Sequence, residues 1–220
     1  MAAATLAAGV IVSQAQVYSQ NIVGYVNIPL VNGYNMVSVP LDSDGTGTNN
    51  TVISVLSTNV LANNSKVLIW TGSSFGTTVT YGIPVHQTVA VWNAPNTPIN
   101  PGQGFFIYNA GPSTNLTVVG QALVGTNLNR YITSAGYNSV ASVTPLGGYI
   151  STNLQYTATL NDKILTWDPV GQNYVTYNYG IPVHQTLPVW TPSQPQLNVG
   201  QGFFIESTNT SVNWTQILNP

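Results

Sequence analysis

The chain has 220 residues, 43% of them hydrophobic and only 4% charged, with a formal net charge of −2 and no cysteine. That is room for one large domain or two of about 100 residues. A charged share far below the usual ~25% leaves Asn, Gln, Ser and Thr to form the polar surface. Three basic residues, Lys66, Arg130 and Lys163, exclude an electrostatic footprint for nucleic acid. The lack of cysteine excludes disulfides, thiolate metal sites and a thiol nucleophile. A near-neutral surface also repels other copies of itself only weakly.

The chain opens on "MAAATLAAGVIVSQA", a small-residue apolar segment with Ser13 and Ala15 at its end. Small residues there suit signal-peptidase cleavage before Gln16. The basic start of such a signal is missing ahead of Lys66, as expected if the natural start lies further upstream. A buried N-terminal strand or helix is the other reading. The segment is too short for a membrane span of about 20 residues, so the expectation is export to the cell surface or medium with no membrane span.

Strand signals follow. "VYSQNIVGYVNI" and "YNMVSVPL" are rich in Val, Ile and Tyr with partial alternation. "LDSDGTGTNN" reads as a surface loop. "NTVISVLSTNV" places Val52, Val55 and Leu56 at helical spacing behind Asn50 as a possible N-cap. "KVLIWTG", "FGTTVTY", "GQGFFIY" and "NLTVVG" then read as strands bounded by Gly, Pro or Asn.

The same order then repeats. Gln20 and Gln121 open "QNIVG" and "QALVG", 101 apart; "GYN" recurs at Gly33 and Gly136, 103 apart. "KVLIW" and "KILTW" start at Lys66 and Lys163, 97 apart. "YGIPVHQTVAVW" from Tyr81 and "YGIPVHQTLPVW" from Tyr179 are 98 apart, as are the two "GQGFFI" blocks at Gly102 and Gly200. Ordered blocks at one spacing mark a duplication. The fall from 103 to 97 puts the length difference in "LDSDGTGTNN". The predicted architecture is all-β: two tandem, internally duplicated small β-sandwich or barrel modules over 16–120 and 121–220, behind an N-terminal signal or arm at 1–15.

The order "VYSQNIVGYVNI", "GYNMVSVP", a tryptophan and "PGQGFFIY" resembles a group of secreted tandem β-repeat proteins of Verrucomicrobia and related bacteria. A single module is also similar to the "GWNLISLP … PGxGYWV" β-modules appended to bacterial surface proteins. The resemblance covers nearly all of 16–220 and implies export and a β-fold, with no catalytic activity. The "GIPVHQT" stretch departs from that pattern.

His86 and His184 are the only histidines, one per repeat. A catalytic triad needs a carboxylate to orient the imidazole, but Asp42 and Asp44 occur only in the first copy, and Asp162 and Asp168 only in the second. A metal would need the two copies to bring their histidines together with a third ligand. The simpler expectation is scaffold: half-buried rings bonded to loop carbonyls. "GQGFF" lacks the continuation of a phosphate loop and reads as a turn with a positive-φ glycine leading into core phenylalanines. No catalytic residue, metal or cofactor is expected. Trp70, Trp92, Trp167, Trp190 and Trp214 are either core or, with nearby Asn and Gln, platforms for sugar rings. Two functions stay open. One is a structural surface protein whose partners are copies of itself, joined through uncharged β-edges into a fibre or layer. The other is a carbohydrate-binding module whose partner is a polysaccharide.

Overall fold

The computed structural model describes residues 22–56, 61–132, 135–209 and 212–219. The apolar segment 1–15, and any signal or arm it forms, lies outside them. The chain is all-β with one short helix. Its first half runs β1 (Val23–Leu30), β2 (Gly33–Ser38), α1 (Val52–Val55), β3 (Lys66–Trp70), β4 (Phe75–Gly82), β5 (Val91–Trp92), β6 (Gly104–Asn109) and β7 (Thr114–Gln121). Its second runs β8 (Gly125–Ile132), β9 (Gly136–Val140), β10 (Gly148–Tyr149), β11 (Lys163–Asp168), β12 (Asn173–Gly180), β13 (Val189–Thr191), β14 (Gln196–Leu197), β15 (Phe203–Ser207) and β16 (Val212–Leu218).

Five-stranded antiparallel sheets of order β2-β6-β3-β4-β5 and β9-β15-β11-β12-β13 carry the repeated blocks at matching places. Each half adds a two-stranded ribbon, β1 on β7 and β8 on β16. The inward side chains of the first ribbon, Ile28, Leu30, Leu116 and Val118, share one core with Val67, Val79, Phe105 and Ile107 of the first sheet. Val140, Ile164, Phe203 and Ile205 build the second core around Trp214 of β16 and Tyr156. Each phenylalanine buried there contributes roughly 1.5–3 kcal/mol relative to exposure.

β1 and β7 alternate in and out, as a ribbon with one wet face must. β6 and β15 do not alternate, because both faces are covered. Phe105 and Phe203 point into their own half's core, while Phe106 and Phe204 meet Met36 in a third cluster between the halves. A strand covered twice reads as a continuous apolar run, which is what "GFFI" is.

The helix differs in detail from its sequence reading. Its N-cap is Thr51, whose side chain and that of Ser54 satisfy each other's backbone in a capping box. Asn50 is buried instead, donating its amide to Asp42 and accepting from Ser43 N at 2.8 Å. Residues 57–60 of the helical stretch lie outside those described. The "LDSDGTGTNN" loop is not wholly at the surface either: Leu41, Asp42 and Asn50 are buried.

The halves meet by reciprocal backbone contacts. Ser38 N donates to Gly200 O at 2.8 Å, and its counterpart Ala141 N donates to Gly102 O at 3.0 Å. Val37 bridges Gln201 as Val140 bridges Gln103. Gly102 and Gly200 adopt φ of +82° and +79°, the turn geometry expected of them. The second glycine of each motif has a different task. A Cβ on Gly104 would sit 2.7 Å from Val140 O, and one on Gly202 would sit 2.5 Å from Val37 O. Backbone atoms cannot swing aside as a side-chain tip can. Gly104→Ala and Gly202→Ala are therefore expected to lower stability in urea unfolding by about 1–3 kcal/mol each. Gly24→Ala, with nothing within 4 Å of the added atom, should leave it nearly unchanged.

Candidate functional site

The duplicated histidine loops come first. Gln87 N donates to Pro84 O at 3.0 Å, and Gln185 N to Pro182 O at 3.1 Å, closing a turn over each Pro-Val-His-Gln. His86 and His184 stand at its third position with φ of +67° and +70°. Type II turns require positive φ there; histidine is one of the side chains enriched in that region, after glycine and asparagine. Both histidines are exposed rather than half-buried, and among the described residues neither ring is hydrogen-bonded to a loop carbonyl. The expected anchoring is therefore wrong: the loop needs the residue's backbone conformation, not its ring. Among the described residues, no three His, Cys, Asp or Glu side chains gather as a metal cluster. Around these turns Val85 and Val183 are 82% and 83% exposed, and Val89 and Leu187 also face solvent.

The tryptophans divide into two classes. Trp92 and Trp190 are buried against Tyr81 and Tyr179, with ring centroids 5.1 Å apart in each pair. Trp214 is 1% exposed and donates Nε1 to Leu154 O at 2.7 Å. None of these three has a face for a sugar ring, and the sugar-platform reading is withdrawn for them. Trp70 and Trp167 are only partly buried and lie where the halves meet. Trp70 Nε1 donates to Tyr137 O at 3.1 Å, and Trp167 Nε1 to Tyr34 O at 2.8 Å. Trp70 packs edge-on against Phe204 and Trp167 against Phe106, both with centroids 5.1 Å apart. Each tryptophan of one half is thus held by the other half through the same two contacts. Beside them Tyr34, Leu68, Phe75, Phe106, Trp167 and Tyr174 line an open apolar cleft. Burial pushes the Tyr174 phenol up to about 12.

The strand edges are treated unequally. The outer edge of β7 is engaged by Asp42, which exchanges backbone hydrogen bonds with Gln121 at 2.8 and 2.7 Å. On β16 a side chain takes the place of a strand: Gln155 accepts from Ile217 N at 2.7 Å and donates to Ile217 O at 3.2 Å. β1 and β8 each have a strand partner on one side only among the described residues. Val23 and Tyr25 of β1 are 66% and 70% exposed. Sequence reasoning flagged this uncharged strand; the covering of β7 and β16 depends on tertiary contacts it could not contain.

Asp162 is buried and accepts from Tyr156 Oη and Thr159 N, each at 2.7 Å. Burial first, and the Asp162 carboxylate second, hold the Tyr156 phenol well above the usual tyrosine range. A folded-state value raised above the unfolded value of about 10 contributes stability that is fully present below pH 10 and is lost as pH rises beyond it.

Two outcomes are expected. His86→Gly and His184→Gly should leave stability within about 1 kcal/mol, because the left-handed backbone suits glycine, whereas His→Val should cost more; chemical denaturation reads both. Tyr156→Phe should cost about 1–3 kcal/mol at neutral pH by removing a bond to a buried carboxylate. It should also flatten the decline of the melting temperature above pH ~10.

The chain matches no protein-family model, no curated protein and no solved structure.

Proposed function

We propose that this is an exported, non-catalytic structural protein of the cell surface, built of two copies of one β-sandwich module and associating with further copies of itself through β-strand edges. The observation that carries this reading is the open edge of β1, with Val23 and Tyr25 facing solvent. No Lys, Arg, Asp or Glu occurs in β1, and its one proline, Pro29, stands near its C-terminal end, away from Val23 and Tyr25. Soluble proteins usually guard such an edge with charge, proline or a covering segment, because unpaired N–H and C=O groups are a template for another chain. Among the described residues, β7 is engaged at Gln121 by Asp42 and β16 at Ile217 by Gln155, and β1 has no such contact on its outer edge. A net charge of −2 opposes association only weakly. The exposed Val85, Val89, Val183 and Leu187 extend the apolar surface available to a neighbour.

The second reading, a carbohydrate-binding module, keeps support from the aromatic cleft beside Trp167, where Tyr34 and Tyr174 are part-exposed. Its lining is almost entirely apolar, which suits a ring face but offers few hydrogen bonds to sugar hydroxyls.

Light scattering and negative-stain microscopy across a concentration series test the first reading. The full chain should grow beyond a monomer. The double substitution Val23→Lys with Tyr25→Lys should keep the monomer's melting temperature and suppress growth, since it charges an exposed edge and removes no core contact. A wild-type chain that stays monomeric while retained on an immobilised polysaccharide would favour the second reading.

A further inference from the structure

The loop from Leu41 to Asn50 is longer than its counterpart in the second half, and it packs Leu41 into the first core and Asp42 against β7. Its acidic residues are placed unusually. Asp42 is fully buried at 0% exposure. Its Oδ1 accepts from the Asn50 amide, but its Oδ2 is buried without a hydrogen-bond partner among the described residues. A buried carboxylate oxygen without a donor or a cation is costly. Asp162 Oδ1 is also unpartnered, but there the other oxygen accepts two bonds where Asp42 Oδ1 accepts one among the described residues. Asp44 follows Asp42 two residues on in the same loop, exposed, with Oδ1 accepting from Thr46 N at 2.9 Å and Oδ2 from Asn49 at 2.8 Å. Among the described residues no Lys or Arg forms an ion pair with either; the ion pair formed there is Lys163 with Glu206 at 2.9 Å. The sealed Asp42 oxygen is left without a donor or a counter-charge among the described residues.

The surroundings supply oxygen and nothing softer. Gly45, at φ +81°, lets the Gln121 side chain close over the loop: its Oε1 lies 2.8 Å from where a Cβ would stand. The Thr46 hydroxyl bonds Asp44 Oδ1 at 2.7 Å and also lies in the loop. Carboxylate, amide and hydroxyl oxygens on a glycine-bearing loop suit a hard cation that accepts irregular coordination, which is calcium rather than zinc or copper. Magnesium demands stricter octahedral geometry.

We propose that Asp42 and Asp44 bind a calcium ion in the 41–50 loop, with Gln121 Oε1 and Thr46 Oγ1 as neighbouring oxygen donors. The ion compensates the buried Asp42 oxygen and ties the loop to the end of β7, where Asp42 and Gln121 already exchange backbone bonds. The second half has no equivalent carboxylates, so one ion binds per chain.

The test is calorimetric titration of chelator-treated full chain with calcium chloride, paired with thermal unfolding at about 1 mM calcium. A single binding event and a raised melting temperature are expected, with a smaller rise in equimolar magnesium. Asp44→Asn, an exposed substitution that leaves the core untouched, should weaken binding roughly tenfold or more. Asp42→Asn should abolish it. No heat and no melting shift up to about 10 mM calcium, a range that includes weak extracellular sites, would overturn the proposal. So would an Asp44→Asn chain that binds as the wild type does, a reading that stands even if Asp42→Asn fails to fold. An Asp42→Asn chain that is more stable than wild type in chelator and equally responsive to calcium also sinks it, since Asp42 would then be a neutral acid.

Discussion

At Gly104 and Gly202 a strand of one half passes so close to a strand of the other that no side chain fits between them. The rest of the arrangement depends on that approach. It brings Ser38 and Ala141 within hydrogen-bonding reach of Gly200 and Gly102. It also fixes the sheets so that Trp70 and Trp167 each reach a tyrosine carbonyl across the junction. The phenylalanine after each crossing is buried in its own half and the next one between the halves, so the motif "GQGFF" supplies a turn, a crossing and two cores in five residues. The contacts come in reciprocal pairs, as in a two-fold dimer interface. They fall within a single chain, joined between β7 and β8 by only Ala122, Leu123 and Val124.

With so few charges, each ionisable group that is buried must be compensated locally. Asp162 has a phenol and an amide on one oxygen and no partner on the other among the described residues. Glu206 has Lys163. Asp42 has a single amide on one oxygen and no partner on the other among the described residues. Elsewhere uncharged amides take on work that charges do in other proteins. Gln155 caps the edge of β16, and Gln172 accepts from and donates to the backbone of Tyr34 at 2.9 Å each. An amide can match a strand's donor and acceptor together without the desolvation cost of an ion. β1 has no such cap among the described residues, which is why its edge carries the functional reading.

What the sequence determined by itself is local or periodic. The repeated blocks fall on matching strands, and β3 begins and ends where "KVLIW" does. The all-β class followed from turn residues and β-branched runs, and the positive φ at Gly102 and Gly200 followed from the turn they make. These depend on neighbours a few residues away, or on a comparison of the chain with itself. The tertiary structure decided everything that depends on what lies across a gap. Five tryptophans look alike in sequence, yet Trp92, Trp190 and Trp214 sit in cores while Trp70 and Trp167 join the halves. The histidines looked like anchored scaffold and proved to be exposed occupants of a strained turn position, because φ at a third turn residue is invisible in a residue's chemistry. Asp42 and Asp44 read as two acids in a surface loop; only the packing of β7 against that loop seals one of them from water. Burial, close approach and an unpaired oxygen are properties of pairs of segments distant in the chain, and one sequence without its fold does not say which segments meet.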